Sequence, residues 1–195
     1  PDLNDGVRLN IRPFVEAGIL GAADVHVART LARLLDELDE AVLLATALAV
    51  RAPRLGHVCV DLAGVRESAI PSEDGTPDPV GLSWPEPDAW TAALRASALA
   101  GEGGPLRLEG SLIYLDRYWA QERAVAADLL ARANAPAIAD PTTLRDPLYR
   151  LFPGDASVEQ RSAAATALLR RLSVIAGGPG TGKTTTIARM LALVD

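Results

Sequence analysis

Cysteine is nearly absent from this chain: Cys59 is the only one among 195 residues. A single thiol cannot close an internal disulfide, so the sequence excludes a disulfide-stapled scaffold and suits a reducing, cytoplasmic location. Long apolar runs are also missing, because the most hydrophobic stretch, residues 41–50, is far shorter than the roughly 20 residues that cross a bilayer. The N-terminus has no basic segment followed by an apolar block, so no signal peptide is predicted.

Aromatic residues are scarce as well, at 4% of the chain, whereas hydrophobic residues reach 49% and charged residues 23%. This composition is typical of a soluble globular protein whose core is built from aliphatic and alanine-rich helices. The net charge of −6 is uneven: residues 1–150 carry 14 cationic and 22 acidic side chains, and residues 151–195 carry five and three. Since neutralising phosphates drives binding to nucleic acids, any such contact is expected from the C-terminal part or from residues outside this chain.

Lysine occurs once, at Lys183, within a glycine-rich segment that matches the phosphate-binding pattern G-x-x-x-x-G-K-[ST] at every fixed position. Glycines let the backbone curl with its N–H groups toward phosphates, the ammonium attracts the β- and γ-phosphates, and a hydroxyl can bind Mg²⁺. Lys183 and Thr184 are the predicted catalytic residues, with Thr184 as the Mg²⁺ ligand. The predicted ATP-binding residues of the loop are Gly177, Gly178, Pro179, Gly180, Thr181, Gly182, Lys183, Thr184 and Thr185.

The segments on either side fit a phosphate-binding loop. Residues 172–176 are a short, mostly apolar run that predicts a buried parallel strand. The helix predicted over residues 185–194 carries Ile187, Met190, Leu191 and Val194 at helical spacing. A strand, a loop and a helix in this order would bring the phosphates to the positive end of the helix dipole.

Helical spacing of apolar residues predicts two helices over residues 24–52. The first is expected to be capped by Asp24 and to have an apolar face made of Val27, Leu31, Leu34 and Leu38. The second runs from residue 39 or 40 to Arg51, because Pro53 prevents much continuation. It is apolar almost all round, so we expect it to be the central buried helix of its domain.

The middle of the chain predicts loops, helices and one hairpin. Residues 70–87 are rich in proline, glycine and acids and predict a mobile surface loop. A short helix capped by Asp88 and carrying Trp90 and Leu94 follows, and residues 106–115 then predict a small β-hairpin. Asp116 is expected to cap a longer helix with a broad apolar face, made of Tyr118, Trp119, Val125, Ala126, Leu129 and Leu130.

Four prolines between residues 135 and 155 predict a linker around one short turn of helix near residues 144–152, after which a helix begins at Ser157. The predicted domains are therefore a mainly helical N-terminal domain (1–140), a linker (141–156) and the start of a P-loop NTPase domain (157–195).

Two polar clusters have a metal-binding alternative. The first is acidic and lies between the first two predicted helices, where a solvated turn is favoured: Asp36, Glu37, Asp39 and Glu40. The second alternates along an extended segment and so shares one side of it: His57, Cys59 and Asp61. It also allows a Cys/His nucleophile as an alternative. Zinc sites need further ligands at characteristic spacing, which favours ordinary packing for this second cluster.

Gln160 precedes Lys183 by 23 residues, across one predicted helix and one predicted strand. Its amide can both donate to and accept from the edge of adenine, which would make it a second nucleotide contact. Ser157-x-x-Gln160 also matches a capping box, in which the glutamine bonds the N–H of its own N-cap residue. With the loop that follows, adenine binding is favoured, and both roles could coexist.

Several segments resemble the RecD family, the alpha subunits of exodeoxyribonuclease V within helicase superfamily I. The similarity is most specific over residues 157–191, which include Glu159-Gln160-Arg161 and the loop through Thr186. Shorter similarities cover residues 56–59, 112–119 and 122–123. In superfamily I helicases a glutamine at about the position of Gln160 reads the adenine edge.

This resemblance implies a mainly α docking domain with a small β-hairpin, followed by the truncated start of a RecA-like α/β P-loop NTPase domain. It also implies an ATP-dependent helicase subunit that moves 5′→3′ on single-stranded DNA and supports double-strand break repair by homologous recombination. The subunit would act in a heterotrimer with RecB-like and RecC-like subunits, the first carrying the nuclease site and the second receiving the N-terminal domain. A complete motor also needs an acidic pair, an arginine finger and a second motor domain. These residues alone are therefore expected to bind nucleotide weakly and to hydrolyse none.

Other function classes stay open. Residues 1–140 could be a protein-docking module of another P-loop ATPase, in which hydrolysis is secondary. A small nucleotide kinase or a hexameric ATPase would also contain such a loop. Kinases usually place the loop near the N-terminus, whereas here it begins at residue 177, which counts against that class.

Overall fold

A computed structural model of the protein describes residues 11–68, 82–136, 139–154 and 157–193. Contacts divide the chain into two units, Pro1–Arg123 and Ala124–Asp195, and each has its own buried apolar cluster. None of the described helices is both long enough and apolar enough to cross a membrane. The division into units falls after residue 123, and the predicted boundary at residues 141–156 stays a prediction.

The first unit is mostly helical. Its described helices are α1 (Arg12–Glu16), α2 (Ala22–Leu34), α3 (Glu40–Arg51), α4 (Val65–Ser68), α5 (Pro87–Ala96) and the start of α6 (Asp116–Asn134). Short 3-10 helices follow α3 and α5 at Ala52–Leu55 and Ala98–Ala100. Its strands are β1 (Cys59–Asp61), β2 (Leu106–Glu109) and β3 (Leu112–Leu115).

The predicted hairpin over residues 106–115 is confirmed, and it is part of a larger sheet. Strands β2 and β3 pair antiparallel with Leu108 opposite Ile113, and Gly110 takes a φ of +61° at the turn. Strand β1 adds to the other side of β3 with Cys59 opposite Tyr114, which makes an antiparallel sheet in the order β1-β3-β2. Strand β1 therefore covers the β3 edge of the hairpin.

Helix α3 is the central buried helix, as predicted. Every residue from 42 to 49 is buried. Asp39 caps the helix, since its Oδ1 accepts hydrogen bonds from the N–H groups of Ala41 at 2.7 Å and Val42 at 3.4 Å. The indole N–H of Trp90 on α5 donates to the Ala41 carbonyl at 2.7 Å, which fixes α5 against the start of α3.

The predicted apolar face of α2 is wrong in most of its residues, and of its four members Leu31 alone packs against the core. Leu34 is 72% exposed and Leu38, beyond the helix end, is 91% exposed. The buried face instead contains Val25, Ala28 and Ala32. Small alanines let α2 approach α3 closely, so the packed face is set by the fit to α3 and not by the largest side chains.

Two predicted helix caps and a second predicted apolar face also differ from the structure. Asp24 is the third residue of α2, where its carboxylate accepts the N–H of Gly21, the true N-cap residue, at 2.8 Å. The N-cap residue of α5 is Glu86, whose side chain makes no capping hydrogen bond, and Asp88 lies in the first turn. No described residue of α6 is buried, so its predicted broad apolar face is exposed at Val125, Leu129 and Leu130. Most of the predicted loop over residues 70–87 lies outside the described residues.

The acidic group between α2 and α3 is not a purely solvated turn. Glu37 is half-buried, and its carboxylate accepts hydrogen bonds from the N–H groups of Leu38 at 2.9 Å and Asp39 at 2.8 Å. Its other oxygen accepts from the Ser97 hydroxyl at 2.5 Å. Burial raises the pKa of Glu37, but the hydrogen bonds from Ser97, Asp39 and Leu38 outweigh it, so the pKa is lowered from 4.5.

The second unit contains α7 (Pro141–Leu151), α8 (Val158–Leu168) and α9 (Lys183–Leu191) among its described helices. The short turn of helix predicted near residues 144–152 is thus part of a longer helix of 11 residues. Pro141 occupies the start of α7, where its missing N–H costs nothing, and the Asp140 carboxylate caps the helix by accepting the Thr142 N–H at 2.8 Å. Burial of Leu148 and Phe152 against Ala164 stabilises the helix.

The predicted strand at residues 172–176 is not present as a strand. The segment lacks helical structure, and among the described residues no strand pairs with it. Val174 is 88% exposed, so the prediction of a buried segment is also not met at this residue. A strand is defined by its ladder of hydrogen bonds to a neighbour, and no local pattern supplies that neighbour.

Candidate nucleotide-binding site

The glycine-rich loop joins the segment 172–176 to α9 and is strongly curled. Gly180 has a φ of +76° and Gly182, the N-cap residue of α9, has a φ of +79°. Only glycine takes such angles without strain. A Cβ on Gly177 would lie 2.7 Å from the Thr181 hydroxyl oxygen, so this glycine is needed for close packing within the loop. The loop is thus a cradle that side chains at these positions would fill or distort.

Side chains of the loop itself maintain this curl. The Lys183 ammonium donates to the carbonyl oxygens of Gly177 at 2.5 Å and Gly178 at 2.7 Å. The Thr181 hydroxyl also donates to the Gly178 carbonyl, at 2.9 Å. Lys183 therefore lies across the loop. A phosphate oxygen is a stronger acceptor for an ammonium than a neutral carbonyl, so an anion in the cradle would compete well for it.

The start of α9 contributes amides and hydroxyls. The first helical hydrogen bond runs from the Thr186 N–H to the Gly182 carbonyl at 2.8 Å, so the N–H groups of Lys183, Thr184 and Thr185 have no partner within the helix. Thr186 is buried and its hydroxyl also bonds the Gly182 carbonyl, at 3.0 Å. Thr184 and Thr185 are exposed, which leaves their hydroxyls accessible from solvent.

Gln160 meets the loop from α8. Its side-chain Nε2 donates to the Thr181 carbonyl at 3.3 Å, and a Cβ on Gly182 would lie 2.7 Å from the same nitrogen. Ser157, the N-cap residue of α8, makes no side-chain capping hydrogen bond. The structure therefore brings Gln160 and the loop together, and its amide bonds the loop instead of forming the capping box that the sequence also allowed.

Sequence reasoning missed a group of contacts behind Gln160. The next residue, Arg161, donates from its guanidinium to the Phe152 carbonyl at 2.6 Å and lies 4.3 Å from the centre of the Tyr149 ring. The ring of Phe152 lies 5.4 Å below the guanidinium carbon of Arg189 on α9. The proline-rich composition around residues 135–155 hid these aromatic contacts, because it pointed to a linker.

The cluster His57, Cys59 and Asp61 does not form a metal site in the structure. Cys59 lies opposite Tyr114 in the sheet. Burial and a hydrogen bond with Cys59 raise the pKa of Tyr114 to about 12, so this phenol stays protonated at neutral pH. Within the described ranges, no group of three or more His, Cys, Asp and Glu side chains could hold a metal ion.

The comparisons with known proteins agree with this architecture. The family model described as RecBCD enzyme subunit RecD, N-terminal domain, matches residues 16–114, and an AAA domain model matches residues 160–195. The chain is 53% identical over 179 residues to the RecBCD enzyme subunit RecD of Mycolicibacterium smegmatis, covering 91% of this chain and 30% of that protein. It is 49% identical over 185 residues to the RecD subunit of Mycobacterium tuberculosis strain H37Rv, covering 94% and 30%.

A more distant relative is the RecBCD enzyme subunit RecD of Buchnera aphidicola, which is 34% identical over 105 residues and covers 52% of this chain and 17% of that protein. The fold and loop define a mostly helical domain with a small antiparallel sheet, followed by the start of an AAA-type P-loop domain. The chain belongs to the RecD family. It spans about 30% of the length of its mycobacterial relatives.

Proposed function

We propose that the full-length protein is an ATP-driven DNA helicase subunit of a RecBCD-type helicase–nuclease, moving 5′→3′ on single-stranded DNA in the cytoplasm. The observation that supports this most directly is the convergence of the Lys183 ammonium and the Gln160 amide on a curled glycine loop, in a chain of the RecD family. Its partners would be RecB-like and RecC-like subunits, because the relatives are named as subunits of RecBCD. Exodeoxyribonuclease V activity would belong to the assembly, and the role would be double-strand break repair by homologous recombination.

The residues present fit ATP with Mg²⁺. The backbone N–H groups of the loop and of Lys183, Thr184 and Thr185 would hold the phosphates, and Lys183 would exchange its two carbonyl partners for phosphate oxygens. The exposed Thr184 hydroxyl would bind Mg²⁺. Hydrolysis of the bound ATP supplies the free energy for movement along DNA.

Gln160 has the remaining hydrogen-bonding capacity that adenine requires. One N–H of its amide is used by the Thr181 carbonyl, which leaves a second N–H donor and the amide oxygen. Adenine presents an acceptor, N7, beside the donor N6–H₂, and one amide group can satisfy both. Guanine presents two acceptors at the same place, so the amide oxygen would have no partner there. We therefore propose Gln160 as the adenine-reading residue.

The test replaces Lys183 by Gln in the full-length subunit, assayed alone and in the assembled complex. Removing the ammonium should lower DNA-stimulated ATP turnover by about 100-fold or more, because it removes charge stabilisation in the transition state. Arg170→Gln is the matched control, since Arg170 is exposed, lies outside the loop and loses the same charge. Turnover is measured by phosphate release, and movement by unwinding of a duplex with a 5′ single-stranded tail.

Normal ATP turnover by the Lys183→Gln subunit assayed alone would contradict the proposal. Loss of turnover in Arg170→Gln to the same extent would show a general effect of charge and would also count against a specific role for Lys183. The 195-residue chain by itself is expected to bind nucleotide weakly and to hydrolyse none, and measurable turnover by it would contradict that expectation.

A second candidate function is protein docking by the N-terminal part. The observation that favours it is a first unit with its own buried core, most of which the RecD N-terminal domain model matches. Residues 1–140 should then retain a RecC-like subunit in a pull-down without any nucleotide. Absence of retention would contradict this function and leave the helicase proposal intact.

A further inference from the structure

The start of α8, which carries Gln160, is held from α7. Its N-cap residue, Ser157, makes no side-chain capping hydrogen bond. One turn further along, Arg161 donates to the Phe152 carbonyl at 2.6 Å, just after the end of α7. The same guanidinium lies 4.3 Å from the centre of the Tyr149 ring. Arg161 therefore connects the first turn of α8 to the end of α7, although it does not satisfy the N–H groups that a cap would bond.

Phe152 makes this connection rigid. It is 0% exposed and packs with Leu148 and Ala164 in the cluster of the second unit. Arg189 of α9 lies over its ring at 5.4 Å. The residue that accepts the hydrogen bond of Arg161 thus also contacts the helix that starts at the phosphate-binding loop, so α8 and α9 share one support.

We propose that Arg161 is a positioning residue for adenine recognition: it fixes the first turn of α8 on α7 so that the Gln160 amide points at the nucleotide. The proposal rests on the proposed function, because it assumes that the loop binds ATP. Carbonyls at a helix C-terminus attract a cation, which makes the Phe152 carbonyl a suitable anchor. The planar guanidinium of arginine, unlike the ammonium of lysine, can bond a carbonyl through its edge and cover an aromatic ring with its face at once.

The experiment measures kcat and KM for ATP and for GTP with the full-length protein in its complex. Arg161→Gln should raise KM for ATP by about tenfold and leave kcat and the KM for GTP within about twofold, since the loss concerns base recognition and not the phosphates. Gln160→Ala should raise the KM for ATP at least as much. The double variant should resemble Gln160→Ala alone, because Arg161 acts through Gln160.

Conservative variants separate positioning from folding. Arg161→Lys keeps the charge but cannot make both contacts, so it should restore only part of the ATP preference. Tyr149→Phe keeps the ring and should match the wild type, whereas Tyr149→Ala should lower the ATP preference in the same direction as Arg161→Gln. Tyr149 is 56% exposed, so its removal is tolerated by the fold even if Arg161→Gln impairs assembly.

An unchanged ratio of kcat/KM for ATP to that for GTP in Arg161→Gln, or in Tyr149→Ala where the first variant does not assemble, overturns the positioning role. A double variant that loses the product of the two single effects overturns it as well, because independent effects multiply. Failure of the proposed function looks different: Lys183→Gln would then keep its ATP turnover, whatever the Arg161 variants do.

Discussion

Gly182 has two constraints that come from different parts of the molecule. Its φ of +79° belongs to the start of α9, and any side chain there is strained. The close approach of the Gln160 amide, 2.7 Å from the position of a Cβ, belongs to the packing of α8 on the loop. Gly180 has nearly the same φ, +76°, but nothing within 4 Å of its Cβ position. A comparison of substitutions at the two glycines therefore distinguishes the effect of backbone strain from the effect of contact with Gln160.

Gly182→Ala and Gly180→Ala should each lower the free energy of unfolding by about 1–2 kcal/mol, the cost of a left-handed backbone for alanine. The end of a glutamine side chain is flexible, so Gly182→Ala should add little cost but displace Gln160 from the loop. The side-chain amide resonance of Gln160 should shift in Gly182→Ala and not in Gly180→Ala. A much larger loss of stability in Gly182→Ala would show that Gln160 cannot move aside.

Helix α7 shows how an element can form against its composition. Prolines at 141 and 147 and a further one at 153 argue for a linker. The first is at a helix start, where proline is tolerated, and only Pro147 lies within the helix. The apolar contacts of Leu148 and Phe152 with α8 outweigh the free-energy cost of Pro147 within the helix. Helix α2 shows the same influence of packing, because its alanines Ala28 and Ala32 are buried whereas Leu34 is exposed.

At the scale of the elements, Glu37 stabilises the connection between α2 and α3, and its carboxylate can be titrated. Its pKa is lowered in the folded state, so its contribution to stability is fully present above 4.5 and is lost as the pH falls through the lower folded-state pKa. Glu37→Gln should lower the free energy of unfolding by about 1 kcal/mol at pH 7, a charged hydrogen-bond value reduced for partial exposure. The difference from the wild type, measured by urea unfolding, should shrink below pH 4.5.

Asp36→Asn is the control for Glu37, because Asp36 is exposed and its φ of +52° suits asparagine equally well. It removes a carboxylate one residue away and should leave stability almost unchanged. A gap between Glu37→Gln and the wild type that stays constant from pH 7 to well below 4.5 would rule out the ionised carboxylate as the cause.

At the scale of the whole molecule, stability of the first unit depends on the core around α3. Leu44 is 0% exposed there, whereas Leu38 is 91% exposed. Leu44→Ala should cost about 2–5 kcal/mol of unfolding free energy, and Leu38→Ala should stay within about 0.5 kcal/mol. The tryptophans, Trp84, Trp90 and Trp119, all lie in the first unit, so their fluorescence reports its unfolding. Equal effects of the two variants would contradict this assignment of the core.

Local features of the chain were sufficient to predict the glycine loop with Lys183, the buried α3 and the hairpin at residues 106–115. They were also sufficient to reveal the RecD resemblance. Each depends on residue type and spacing within a few turns, such as positive φ at glycine or apolar residues on every side of a helix. Tertiary structure alone decided the packed face of α2, the full length of the helix at residues 141–151 and the contacts of Arg161. These depend on which distant surface covers a segment, and neither composition nor periodicity contains that information.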